Sequence, residues 1–77
     1  MTLKRKLHAM PPDIAAVLDR RGLKARYDER PDYQRNDYLG WIARAKRPET
    51  RQKRLDLMLD ELDRGGVYMN MAWKGLR

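Results

Sequence analysis

The sequence predicts an all-α domain of three to four helices, and two observations carry that prediction. All four prolines stand at helix-start positions. Pro12-Asp13, Pro31-Asp32 and Pro48-Glu49 each put a ring with no N–H to lose, then an acid, into a first helical turn. Between these starts the apolar residues recur at spacings of three and four, the period of an amphipathic helix.

The first helix is expected from about Pro12 to Arg21, with Ile14, Val17 and Leu18 on one face and Gly22 as its left-handed stop. Leu23 and Tyr27, four apart, predict one further helical turn before Pro31. The second main helix, about Asp32 to Lys46, carries a wide apolar face of Tyr38, Leu39, Trp41, Ile42 and Ala45. Gly40 lies inside it, at a cost of roughly 1 kcal/mol relative to alanine unless close packing uses the missing side chain. The third helix, about Pro48 to Arg64, places Leu55, Met58, Leu59 and Leu62 on one stripe and stops at Gly65-Gly66. At the ends the period changes to two: Leu3, Leu7 and Ala9, then Val67, Met69, Met71 and Trp73, alternate with other residues. These extended termini either pack on the core or pair as short strands. The organisation expected is a basic N-terminal segment over residues 1–11, a helical domain over 12–65 and a tail over 66–77 that packs on the domain.

Seventy-seven residues allow one small domain, which buries only about 60% of the surface its unfolded chain exposes. A deep active-site cleft is not expected. A formal charge of +7, with 38% charged residues, favours anionic partners such as nucleic acid, acidic protein or lipid head groups. The start "MTLKRKLHAMPPD" has basic Lys4-Arg5-Lys6 but no apolar stretch after it, and no run approaches the ~18 apolar residues of a membrane span. A cytoplasmic protein without a transmembrane segment is the resulting expectation, with oligomeric state open.

Catalytic groups are scarce. With no cysteine and no serine, nucleophilic triads built on either are impossible, and the only histidine, His8, is expected to be exposed. Asp56, Asp60 and Asp63 read as a solvated face rather than metal ligands, and Gly65-Gly66 follows a helix as its stop rather than opening a phosphate-binding loop. No catalytic residue, metal ligand or cofactor site is expected, and the protein reads as a non-enzyme.

The strongest local feature is a basic corner where the second and third helices meet at Pro48: Arg44, Lys46, Arg47, Arg51, Lys53 and Arg54 against the single acid Glu49. The third helix is charged against its own dipole, since Arg51, Lys53 and Arg54 crowd the positive end while Asp56, Asp60, Glu61 and Asp63 lie toward the negative end. Something outside the helix should compensate. On one reading the corner is a clamp: Lys46, Arg47 and Arg51 meet the carbonyls that end the second helix, and arginine forks reach carboxylates such as Asp37. On the other, the six cations form a patch for an anionic partner, joined by Lys4 to Lys6, with Trp41 and Trp73 the candidates for base stacking if that partner is nucleic acid. Trp41, however, is expected in the core.

Tyr38, Trp41-Ile42, Ala45-Lys46, Thr50-Arg51 and Arg54 together resemble the pattern Tyr-x-x-Trp-Ile-x-x-Ala-Lys-x-x-x-Thr-Arg-x-x-Arg of the bacterial YdeI or OmpD-associated family, also called bacteriocin-protection proteins. The likeness extends back through Pro12-Asp13-Ile14 and Tyr27 and covers about Pro12 to Gly65. It implies a small helical domain, often found at the C-terminal end of a longer chain, with a part in protection against bacteriocins or antimicrobial peptides. It implies Tyr38, Trp41, Ile42, Ala45 and Thr50 as a structural signature, with Lys46, Arg51 and Arg54 as polar members. Arg30 departs from an expected apolar residue, and Gly40 from a better helix former. The expectation is a non-enzymatic binding or stress-protection module whose basic corner recognises an acidic protein or other anionic partner; the alternative is a small nucleic-acid-binding protein using the same patch on phosphates.

Overall fold

The computed structural model describes residues 8–69 and 71–72. Four helices follow one another in order: α1 (Pro12–Arg20), α2 (Lys24–Glu29), α3 (Asp32–Ala43) and α4 (Pro48–Arg64). The expected all-α architecture stands, and each helix-start proline does what its chemistry allows. Pro12 and Pro48 occupy the first helical positions of α1 and α4, and Pro31 directly precedes α3.

Local chemistry also sets the stops. After α1, Gly22 takes φ +69°, and the Leu23 and Gly22 N–H groups return to Leu18 O and Asp19 O at 2.8 and 3.1 Å, a Schellman closure whose apolar contact is the buried Leu23. The further turn expected at Leu23 and Tyr27 is the short helix α2. It ends because Arg30 precedes proline and is driven to extended backbone, φ −70° and ψ 146°. The same constraint makes Arg47 extended before Pro48, and α3 closes earlier, at Ala43 rather than at Lys46. Gly65, at φ +87°, ends α4 with its N–H on Glu61 O at 2.8 Å.

The core gathers Ile14 and Leu18 of α1, Tyr27 of α2, Tyr38, Leu39 and Ile42 of α3, and Leu55, Met58, Leu59 and Leu62 of α4. Trp41 is only half-buried and packs at its margin, so its expected place within the core is corrected. Beyond α4 the tail forms a hairpin of two-residue strands, β1 (Val67–Tyr68) and β2 (Met71–Ala72), paired antiparallel as Val67 with Ala72 and Tyr68 with Met71. The period-two reading fails at the turn: Met69 has φ +50°, and Tyr68 and Met69 both pack on the core while Met71 is 60% exposed. The hairpin is thus tied to the helices, as so small a ribbon must be to persist. Leu3, Leu7 and Trp73, invoked above for the termini, lie outside the described residues.

Candidate functional site

The interior holds a polar cluster that composition gives no sign of. Arg30, Gln34 and Glu61 are buried, at 2, 0 and 0% exposure. Arg30 donates from Nη1 to Gln34 Oε1 at 3.1 Å and from Nη2 to the Glu61 carbonyl at 3.1 Å, with its guanidinium 6.0 Å from the Tyr38 ring centre. Glu61 Oε1 accepts from the Tyr38 hydroxyl at 2.5 Å and from the Met69 N–H at 2.9 Å. Burial first, then the Glu61 carboxylate, pushes the Tyr38 phenol far above its usual range. Arg30 therefore stands where an apolar residue was expected because its fork has partners to satisfy it.

This cluster also resolves the misaligned charge of α4. Arg26 donates from Nη1 to Leu62 O and Asp63 O at 3.2 and 2.7 Å. With Arg30 on Glu61 O, Arg26 of α2 and the residue that follows α2 meet the carbonyls at the negative end of α4. At the other end, Arg51 forms a two-pronged pair with Asp13 of α1, at 2.8 and 3.2 Å. That contact holds the Asp13 carboxyl below its usual value and raises Arg51.

Arg51 was expected to reach the carbonyls at the end of α3, or a carboxylate such as Asp37. Arg54 takes the first role instead. The Ala45 N–H turns back to Ile42 O at 3.2 Å, and the Trp41 carbonyl accepts from Arg54 Nη1 at 2.6 Å, the guanidinium lying 5.2 Å from the Trp41 ring centre. Asp37 accepts from the Tyr68 hydroxyl at 2.7 Å.

Four of the six corner cations remain. Arg44 closes α3, Lys46 and Arg47 lie in the connection and Lys53 is on α4; all four are exposed, and none of their side chains has a hydrogen-bond or ion-pair partner among the described residues. The adjoining start of α4 has no side-chain cap, so its dipole adds positive potential there. Of the residues singled out with them, Tyr38 and Ile42 are buried, while Ala45 and Thr50 are half-buried. Lys4 to Lys6 lie outside the described residues.

His8 was expected to be exposed and is half-buried against α3 instead. Its N–H donates to Asn36 Oδ1 at 2.8 Å, and its ring fills the space that a side chain at Gly40 would need. The unfavourable glycine within an apolar helix was the one signal in the sequence for this contact. Among the described residues no three His, Asp or Glu side chains gather to hold a metal ion, and no helix is long and apolar enough to cross a membrane.

A family model described as "Bacteriocin-protection, YdeI or OmpD-Associated" matches residues 8–65. No curated protein and no solved structure matches the chain.

Proposed function

The chain belongs to the bacteriocin-protection, YdeI or OmpD-associated family, and from that membership we propose that it is a non-enzymatic binding and stress-protection module whose basic corner recognises an acidic protein. One observation supports the reading above the others: Arg44, Lys46, Arg47 and Lys53 stand exposed in and beside the connection from α3 to α4, and their side chains have no carboxylate partner among the described residues. Arg51 and Arg54 act beneath them as supports, tying α4 to α1 and to the end of α3. Exposed cations whose side chains have no partner suit a protein surface of complementary charge.

Nucleic acid is the other anionic partner that a +7 chain attracts. An aromatic face for base stacking would strengthen that reading, but Arg54 already lies over the Trp41 ring.

The test is an amide chemical-shift titration with poly-L-aspartate and, in parallel, a mixed-sequence DNA duplex at about 0.15 M salt, where screening reaches only about 8 Å. Shifts centred on residues 44–53 with poly-L-aspartate are expected, and their loss in the Arg44→Gln, Lys46→Gln, Arg47→Gln triple variant with an unchanged melt. Shifts with DNA alone, erased by further salt, would move the corner to the nucleic-acid reading. Silence with both probes would remove the corner from binding.

A further inference from the structure

His8 and Arg44 both reach Gly40, a buried glycine of α3. A side-chain carbon at Gly40 would stand 2.7 Å from His8 Nε2 and 3.4 Å from Arg44 Nη1. The His8 ring is placed there by its own backbone, through the N–H bond to Asn36, and Arg44 arrives one turn further along α3. Neither side chain has a hydrogen-bond or ion-pair partner among the described residues. The nearest acid lining the cleft beside His8 is Asp32, which is paired with Arg35 on the same helix. Tyr27 of α2, also on that cleft, is a phenol that burial keeps protonated past its usual range.

We infer that His8 Nε2 and Arg44 form a carboxylate site at the edge of the basic corner, and that protonation of His8 tightens the corner's hold on an acidic protein. This rests on the corner reading proposed above and adds its pH regulation. A guanidinium is always a donor, whereas an imidazole is certain to donate from Nε2 only when protonated. Proton and carboxylate are then mutually reinforcing: without the anion, the imidazolium would face Arg44 as a like charge, and with it, both donate to one acceptor group. Gly40 is what allows the ring to sit against α3 at the place where Arg44 also reaches.

Calorimetric titration of the full chain with poly-L-aspartate at about pH 7.0 and about pH 5.5, within the imidazole range, tests the inference. Wild type is expected to bind about threefold tighter at the lower pH, the scale of one added exposed ion pair, and to take up protons on binding when buffers of different ionisation enthalpy are compared. His8→Phe keeps a flat ring over Gly40 but carries no proton, and should lose both the tightening and the uptake. Gly40→Ala, which pushes the ring off Arg44, should lose them too while its melt shows the domain intact. If His8→Phe retains the wild-type pH dependence, the His8 site is overturned and the corner reading survives. If wild type binds at neither pH, the corner reading fails and takes this inference with it.

Discussion

At the end of α4, Arg26 and Arg30 bring their forks to three consecutive carbonyls and Gly65 closes the helix behind them, whereas at the end of α3 one arginine reaches one carbonyl and the chain's own cations stand out in water. Both ends carry the same partial negative charge and both lie among basic residues. What separates them is whether an acceptor lies within reach of the cation. The α4 end has become part of the interior, with Glu61 buried inside it, and the α3 end is a surface with positive charge to spare. Arginine content therefore does not tell a support from a free cation; the presence of an acceptor does.

Substitutions can break that contrast in graded steps. Glu61→Ala strips the acceptor from Tyr38 and Met69 inside the α4 end and should cost about 2–3 kcal/mol, measured by urea denaturation. A loss within the error of the measurement would show that the buried cluster is not what closes this end. The same cluster should weaken in alkali. The folded Tyr38 phenol keeps its proton above the ordinary value of 10.0, while the unfolded chain gives it up, so this contribution is complete below that pH and declines as pH rises beyond it. Tyr38→Phe should flatten the decline.

At the α3 end the effects should be smaller. Arg54→Ala removes a charge-assisted bond to the Trp41 carbonyl and the cover over its ring, for about 1–2 kcal/mol, read as a lower melting temperature. Arg51→Ala removes a more exposed pair and should cost about 0.5 kcal/mol. Because Arg51 depresses Asp13 below its ordinary 3.8, that contribution is present above this pH and disappears as pH falls through the lower folded value, so the wild-type and Arg51→Ala melts should converge in acid. Smallest of all, Lys53→Ala should leave the melt unchanged, since the side chain touches no partner among the described residues. A large loss there would erase the distinction between supports and free cations.

Much of the architecture was legible in the sequence because its signals are local. Proline followed by an acid marks a helix start within two positions, and Gly22 and Gly65 mark stops by the backbone conformation they permit. The apolar stripes then find one another with few alternatives. What was not legible depends on residues far apart in the chain: Arg30 meets the Glu61 carbonyl across 31 positions, and Tyr38 meets the Glu61 side chain across 23. A charged residue reads as surface until its partner is placed beside it. The reversed charge of α4 was a genuine trace of this, since it required outside compensation without saying that α2 would supply it. Gly40 was a similar trace, needing a neighbour that only the fold identifies as His8.

The division between supports and free cations also runs along residue type. The cations that tie one part of the fold to another, Arg26, Arg30, Arg51 and Arg54, are all arginines, whose planar forks suit carbonyl and carboxylate partners, while the side chains of the corner lysines, Lys46 and Lys53, have no partner among the described residues. Acylation of lysine amines would therefore erase two of the corner's charges and leave every one of those ties in place. The positive charge of the corner is thus open to chemical adjustment in steps of one, by a modification that none of those four ties would feel.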